Sequence, residues 1–209
     1  MKRLIKVGLT GGIATGKSTT LERWQAAGAA GIDADELAHE ALEPETPTWQ
    51  EVVKAFGEGI LNRDRTVNRR QLGEIVFADE GKRAALNRII HPAVGRMWTE
   101  RVEKLEREGE TEVVIASIPL LYEVAVEKQF DCVVVVGCSE RTQIMRLAGK
   151  GLSEAQARAR IGAQWPLQTK MDRADFVIWN DGKFEVLSEQ AGMIWANIKE
   201  SYHAASKKQ

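Results

Sequence analysis

Short apolar runs separated by longer amphipathic stretches organise this chain of 209 residues. Five runs consist almost entirely of apolar residues, which is typical of strands buried on both faces of a sheet. These runs lie at residues 4–9, 30–32, 113–116, 132–136 and 176–179. A stretch with helical spacing follows each run, and this alternation predicts an α/β fold around a five-stranded parallel sheet.

The interval between the second and third runs has helical spacing and contains no strand signal. Helical patterns occur at residues 48–56, 68–77 and 81–107, and Pro92 is expected to start or kink a helix. We therefore predict a helical insertion at about residues 46–109. Because ligands of parallel sheets bind beyond the carboxyl ends of the strands, such an insertion is well placed to cover a second substrate.

Composition narrows the class of protein. Hydrophobic residues make up 44% of the chain and charged residues 28%, and the 29 basic residues balance 30 acidic ones. This balance is typical of a globular protein and predicts no general attraction to nucleic acid or to a membrane. With no leader-like start and no apolar run near the roughly 20 residues of a membrane span, we expect a cytoplasmic protein. We also expect a monomer or weak homo-oligomer, although no sequence feature determines the oligomeric state.

Both cysteines, Cys132 and Cys138, belong to the fourth apolar run and its exit. Two cysteines on one extended strand do not easily come close enough to form a disulfide, and their spacing fits no common zinc pattern. We expect two buried free thiols.

The most specific motif is Gly-Gly-Ile-Ala-Thr-Gly-Lys-Ser at residues 11–18, which fits the pattern G-x-x-x-x-G-K-[ST] between the first strand and a helix predicted at 18–27. Its glycines let successive N–H groups turn toward one anion at a helix N-terminus. The predicted nucleotide-binding residues are Gly11, Gly12, Ile13, Ala14, Thr15, Gly16, Lys17, Ser18 and Thr19. Lys17 is expected to reach the β- and γ-phosphates of ATP, and the Ser18 hydroxyl to bind Mg²⁺.

Two aspartates follow the second strand. Asp33 has two interpretations of similar weight: an N-cap of the helix predicted at 34–42, with Glu36 completing a capping box, or a substrate contact. Asp35 falls in the first turn of that helix. A carboxylate there is able to accept the proton of an acceptor hydroxyl during phosphoryl transfer, so Asp35 is the candidate base.

A basic cluster follows the fourth strand. It contains Arg141, Arg146, Lys150, Arg158, Arg160 and Lys170. Ser153 and Gln156 predict a capped helix at 154–163, bracketed by glycines and a proline, which favours a lid at about residues 149–172. Closure would bring guanidinium groups onto the transferring phosphoryl group, and Arg146 is the favoured catalytic residue; a solvated basic helix face is the alternative.

Three further segments are less specific. Residues 169–172 resemble the guanine-reading N-K-x-D signature, but they precede a strand instead of following one, so we discount that function. His91 is either a structural hydrogen-bonding residue or part of a site. The apolar segment at 118–123 is either core or the wall of a substrate site.

Together these residues resemble the dephospho-coenzyme A kinase family over nearly the whole chain. The matching segments are 9–13, 32–35, Pro44 with Pro47, 87–92, 118–123, 158–164 and 174–180 with Gly182. The chain departs from the family at Ala14 and Thr15, where glycine and serine are usual, at Glu45, where glycine is usual, and at Ser117, where some relatives carry an acid. A methyl group at Ala14 is tolerated if φ is negative, and we expect altered nucleotide affinity at most.

The resemblance implies a three-layer P-loop kinase fold with a core at about residues 1–45, 110–148 and 173–205, the insertion as a coenzyme A-binding domain, and the lid. It also implies ATP-dependent phosphorylation of the ribose 3′-hydroxyl of dephospho-coenzyme A, with Mg²⁺, in the last step of coenzyme A synthesis. Lys17 and Arg146 would contact phosphates and Asp35 would be the general base. The candidate substrate contacts are Asp33, His91, Pro119, Leu120, Tyr122 and Arg160.

Two other functions stay open on the residues alone. One is a P-loop kinase that acts on a nucleoside monophosphate or a sugar acid. The other is a nucleotide-dependent switch protein, although a convincing base-reading signature is missing.

Overall fold

The computed structural model describes residues 4–206. It divides into two compact units, one formed by residues 4–32 and 108–206 and the other by Asp33–Arg107. Residues 1–3 of the predicted core, and residues 207–209, lie outside the described residues. Within the described part of the chain, no helix is both long and apolar enough to cross a membrane.

The first unit is built on a five-stranded parallel sheet, as predicted. Its strands are β1 (Ile5–Gly11), β2 (Ala30–Asp33), β3 (Val113–Ser117), β4 (Cys132–Gly137) and β5 (Phe176–Trp179). Their order in the sheet is β2-β3-β1-β4-β5, and β1 pairs in parallel with both β3 and β4. The chain moves to one side of β1 and later to the other, so the loop after β1 lies at the point of the sheet where ligands of such folds bind.

Successive side chains of β4 pack on opposite faces of the sheet, and both faces are covered, which explains why this strand consists mainly of valines. Val134 and Val136 pack into a cluster with β1 and with the helices on one face, whereas Val133 and Val135 pack into a second cluster on the other face. Successive side chains of a strand point to opposite faces, so a strand covered on both sides has no polar positions.

Helices cover both faces of this sheet, which makes the unit a three-layer structure. They are α1 (Lys17–Ala26), α6 (Glu140–Ala148), α7 (Glu154–Gly162), α8 (Leu167–Asp172) and α9 (Phe184–Ser206). On one face, Trp24 Nε1 of α1 donates to the Ala191 carbonyl of α9 at 2.9 Å, and its ring stacks on Trp195. The helix α7 begins with the predicted capping box, in which Ser153 and Gln156 each bond to the other's backbone N–H.

The second unit is helical. Its helices are α2 (Ala34–Ala41), α3 (Pro47–Phe56), α4 (Arg69–Ala78) and α5 (Glu80–Glu108). Its buried cluster is formed by Trp49, Val52, Ile60, Val67 and Leu72. The unit begins before the predicted insertion at 46–109, because α2 belongs to it.

Helix α5 passes through Pro92 without ending there. Of the two predicted alternatives, a helix start at Pro92 is wrong, and a kink there stays a prediction. Both Pro92 and Arg88 are exposed, so water can reach the Arg88 carbonyl, which the proline leaves without a helical donor.

Candidate functional site: a braced phosphate-binding loop

The loop between β1 and α1 has a backbone that requires glycine at two positions. Gly11 has a φ of 149°, and a Cβ atom there would lie 2.1 Å from the Val136 carbonyl oxygen. Gly16 has a φ of 107° and is the N-cap of α1, which has no side-chain cap and no acidic residue in its first turn. The positive end of this helix is thus open to an anion.

The sign of φ alternates across the middle of the loop. Ala14 has a φ of 58° and Gly16 a φ of 107°, with Thr15 between them outside the positive region. Alternation of this kind turns successive N–H groups into one concave nest that binds anions. The condition of a negative φ, on which the tolerance of alanine at this position depended, is therefore not met.

Two donors inside the loop hold the carbonyl of Gly12. Lys17 Nζ donates to it at 2.8 Å and Thr15 Oγ1 at 2.9 Å. The predicted phosphate-binding lysine is thereby held against the loop in which a phosphate would lie. The Thr15 hydroxyl is thus used in a bond within the loop.

Residues outside the loop hold the next three carbonyls. Gln143 Nε2 of α6 donates to the Ile13 carbonyl at 2.7 Å, and Arg146 Nη1 of the same helix donates to the Ala14 carbonyl at 3.1 Å. Asn180, which follows β5, donates from Nδ2 to the Thr15 carbonyl at 2.7 Å. Three side chains from two elements thus fix the backbone of the loop.

Arg146 bonds to the protein backbone in the structure, whereas the sequence predicts that it contacts phosphate. Its guanidinium also donates to the Asn180 carbonyl at 2.9 Å, which links the loop to the turn after β5. In this conformation the predicted catalytic arginine contacts backbone oxygens, and its contact with phosphate stays a prediction.

The predicted lid segment contacts the loop through Gln164. Its Oε1 accepts the N–H of Ile13 at 2.9 Å. Of the other basic residues, Arg158 pairs with Glu140 and with Glu154, and Arg160 is exposed.

A buried ion pair joins α8 to the turn after β3. Lys170, whose side chain is 0% exposed, lies 2.7 Å from Glu123 Oε1 and donates to the Pro119 carbonyl at 3.0 Å. Glu123 Oε1 also accepts the N–H of Trp165 at 2.9 Å. A lysine enclosed in this way does not read a base, which agrees with our discounting of the N-K-x-D resemblance.

The apolar segment after β3 divides between core and surface. Tyr122 is 3% exposed, and its hydroxyl is buried with no hydrogen-bond partner among the described residues. Desolvation, reinforced by the charge of Asp175, raises the pKa of this hydroxyl. Leu120 is 40% exposed, so Leu120 has surface to offer a substrate and the Tyr122 side chain has almost none.

The remaining predicted site residues belong to the second unit. Asp33 caps α2, because its Oδ1 accepts the N–H of Asp35 at 2.8 Å. Asp35 is exposed in the first turn of that helix. His91 on α5 keeps an exposed surface, although partial desolvation by its neighbours lowers its pKa.

The loop also suits Mg²⁺. Ser18 is exposed in the first turn of α1, and the described residues contain no cluster of three or more acidic, histidine or cysteine side chains able to hold a metal alone. Mg²⁺ keeps several waters and takes most other ligands from substrate phosphates, so one hydroxyl beside a phosphate site fits this ion.

The family model described as dephospho-CoA kinase matches residues 5–185. This chain belongs to that family. A dephospho-CoA kinase of Thermobifida fusca is 42% identical over 203 residues, covering 96% of this chain and 100% of that protein. The dephospho-CoA kinase of Bacillus licheniformis is 43% identical over 197 residues, covering 92% of this chain and 98% of that protein.

Solved structures agree with this membership of the dephospho-CoA kinase family. The protein TT1252 of Thermus thermophilus superposes with a TM-score of 0.81 at 31% identity, covering 94% of this chain and 98% of that chain. The dephospho-CoA kinase of Campylobacter jejuni has a TM-score of 0.69 at 25% identity, with the same coverage of both chains. A shikimate kinase of Acinetobacter baumannii, with a TM-score of 0.51 at 16% identity over 96% of each chain, shares the fold alone.

Sequence reasoning missed one residue that contacts the loop, Gln143. Gln143 lies one helical turn before Arg146 and therefore on the same face of α6. That spacing was the available signal, since a face that carries an arginine toward the nucleotide also carries its neighbour three residues earlier.

Proposed function

We propose that this chain transfers the γ-phosphoryl group of ATP to the ribose 3′-hydroxyl of dephospho-coenzyme A, giving coenzyme A and ADP in the cytoplasm. The observation that supports this most directly is the braced phosphate-binding loop in a chain of the dephospho-CoA kinase family. In the reaction a bond forms between the 3′-oxygen and the γ-phosphorus, the bond to the β-phosphate oxygen breaks, and the hydroxyl proton passes to a carboxylate.

The first unit supplies the phosphate side of this proposal. The N–H groups of the loop and Lys17 bind the phosphates of ATP, which positions the γ-phosphoryl group for in-line attack. Mg²⁺, held through Ser18 and phosphate oxygens, would supply charge neutralisation at the phosphates. Arg146 is proposed to add positive charge as the segment at 149–172 closes, because charge stabilisation contributes most of the catalysis in phosphoryl transfer. Arg160 of the same segment is proposed to contact the acceptor substrate.

The second unit supplies the acceptor side. We propose that the helical insertion at about 46–109 binds dephospho-coenzyme A, with His91 among its contacts, and that Asp33, Pro119 and Leu120 also contact this substrate. Asp35 is the proposed general base. It is exposed at the start of α2, so it is accessible to an acceptor hydroxyl without rearrangement of its own helix.

The reaction is tested by measuring ADP release with Mg-ATP and dephospho-coenzyme A as acceptor. AMP, gluconate, shikimate and water alone serve as parallel acceptors, and the mass of the product reports one added phosphate. Release confined to dephospho-coenzyme A supports the proposal. Release with another acceptor changes the substrate, and stimulated hydrolysis without a phosphorylated product would instead favour a nucleotide-dependent switch.

The role of Asp35 is tested by Asp35→Asn. Loss of a general base is expected to lower kcat by roughly 10²- to 10⁴-fold, because the amide cannot accept the hydroxyl proton. The Kd for ATP should not change, since the loop is intact. Glu36→Gln removes the neighbouring exposed acid of the same helical turn and is the matched control, with kcat expected near that of the unmodified chain. Equal kcat in the two variants would remove the assignment.

A further inference from the structure

Three successive peptide groups of the phosphate-binding loop are each held by a side chain from outside it. The Ile13, Ala14 and Thr15 carbonyls accept hydrogen bonds at 2.7, 3.1 and 2.7 Å. Their donors are Gln143, Arg146 and Asn180. The loop therefore does not hold its conformation by internal contacts alone.

The geometry of the peptide group determines where the N–H groups of the loop point when its carbonyls are held outward. In a planar trans peptide, the carbonyl of one residue and the N–H of the next point in opposite directions. Holding the carbonyls of residues 13–15 outward therefore directs the N–H groups of Ala14, Thr15 and Gly16 to the opposite side. None of these three N–H groups donates to another group within residues 4–206, so they are available to an anion.

We infer that Gln143 is a positioning residue for ATP: it orients the N–H of Ala14 toward the phosphates by holding the Ile13 carbonyl. This role rests on the proposed function only in that the loop binds a nucleoside triphosphate. Gln143 is 3% exposed, so no water substitutes easily for its amide. Gly12 provides the space for it, because a Cβ atom at Gly12 would lie 2.6 Å from Gln143 Nε2.

Gln143 is a better test of positioning than its two neighbours in the brace. Arg146 is also a candidate for direct contact with phosphate, so replacing it would change more than the position of the loop. Asn180 also bonds to the sheet, through its backbone N–H and the Gly137 carbonyl of β4. The Gln143 amide donates to a loop carbonyl and carries no charge. The peptide that it holds leads into Ala14, whose φ of 58° is unfavourable for alanine and persists only under external restraint.

The chemistry of glutamine supplies two informative substitutions. Gln143→Met keeps a side chain of similar length and removes the donor. Gln143→Glu keeps the shape but makes the donor depend on protonation: a neutral carboxyl donates to the Ile13 carbonyl, whereas a carboxylate faces that oxygen with like partial charge. If Gln143 acted only by filling space, the effect of Gln143→Glu on ATP binding would not depend on pH.

The experiment measures the Kd for ATP by isothermal titration calorimetry and the KM for both substrates. For Gln143→Met we expect ATP binding weaker by roughly tenfold, as for a lost buried hydrogen bond, with the KM for dephospho-coenzyme A nearly unchanged. For Gln143→Glu, the ratio of its Kd to that of the unmodified chain should fall toward one as the pH is lowered from about 8 to about 5.

Gln190→Met is the matched control. The Gln190 amide bonds to the N–H and the carbonyl of Trp179 on β5, both at 2.9 Å, and donates to the Val186 carbonyl at 3.3 Å. This variant therefore loses three backbone contacts in the same unit without touching the loop. It is expected to lower stability and to leave the Kd for ATP unchanged.

Three results would overturn the inference. One is a Kd for ATP in Gln143→Met within about twofold of the unmodified value, and another is an equal loss in Gln190→Met. The third is a pH-independent ratio for Gln143→Glu, which decides the matter if Gln143→Met does not fold. Because calorimetry uses ATP alone, a chain that binds ATP without phosphorylating dephospho-coenzyme A refutes the proposed function and leaves this inference standing; absence of ATP binding refutes both.

Discussion

A single methyl group, that of Ala14, lies in a left-handed segment of a loop whose chemistry depends on backbone direction. At a φ of 58° the Cβ atom crowds the adjacent carbonyl, at a cost of about 1–2 kcal/mol. Ala14→Gly removes that cost but adds freedom to the unfolded chain. We expect a net rise of about 0.5 kcal/mol or more in the free energy of unfolding, measured by denaturant titration.

Ala159→Gly provides the opposite case for the same chemical change. Ala159 is exposed within α7, where glycine is less favourable than alanine by about 1 kcal/mol. The two variants should therefore shift the free energy of unfolding in opposite directions. A loss in Ala14→Gly as large as that in Ala159→Gly would show that the loop relaxes to a negative φ in solution.

Residues of the site differ in how far the sequence determines them. The position of the loop at 11–18 and its need for glycine could be predicted, because each residue type in the motif acts through its own backbone or its nearest neighbours. Gln143 was missed, because its spacing from Arg146 indicates only that the two share a helix face, and a glutamine contacts the loop only when α6 packs beside it. Tyr122 and Lys170 show the reverse, because their types suggest surface chemistry while packing buries them.

At the scale of elements, one buried ion pair connects α8 with the turn after β3. Lys170→Met leaves the Glu123 carboxylate enclosed without its cation, and we expect the free energy of unfolding to fall by about 3–5 kcal/mol. The double variant Lys170→Met with Glu123→Gln should recover part of this loss, because the amide oxygen still accepts from the Trp165 N–H. Denaturant titration of the four proteins gives the coupling energy.

An exposed ion pair supplies the comparison. Arg70 and Glu74 lie 3.1 Å apart with side chains 90% and 67% exposed, so Arg70→Met is expected to change the free energy of unfolding by at most about 0.5 kcal/mol. If Lys170→Met cost no more than this, the buried pair would have no special part in joining α8 to the sheet.

Elements were more predictable than contacts. The runs at 132–136 and 176–179 lie within or coincide with β4 and β5. For β4 the reason is that a strand covered on both faces has a continuous apolar run. The edge strand β5 has such a run although Val177 and Trp179 are 40% and 43% exposed. Pro92 does not start α5, because water can bond to the exposed Arg88 carbonyl in place of the helical donor that the proline lacks. The start of the second unit at Asp33 was missed because α2 has no composition that distinguishes it from a helix of the core.

For the molecule as a whole, the rates at which the two cysteine thiols react report whether the sheet opens. Cys132 and Cys138 begin and follow β4, which is an interior strand of the sheet. Burial, with the charges of Asp175 and Asp131, raises the pKa of Cys132 to about 12. Burial likewise raises the pKa of Cys138 to about 11. Both groups are therefore protonated in the folded chain near neutral pH, and a thiol reacts with disulfide reagents as its thiolate.

Cys138 is buried, as expected, whereas Cys132 is only half-buried, which corrects the expectation of two buried thiols. We expect Cys138 to react with a chromogenic disulfide reagent at about pH 8 only as fast as the sheet opens, Cys132 to react slowly because its thiol is protonated, and both to react at once in denaturant. The raised pKa values also set the direction of a pH effect. Above about pH 9 the unfolded chain releases thiol protons that the folded chain retains, so the free energy of unfolding falls as the pH rises. Single Cys132→Ala and Cys138→Ala variants assign each rate. If Cys138 reacted in the native chain as fast as a free cysteine, the end of β4 would open locally, and the packing on both faces of the sheet argues against such an opening.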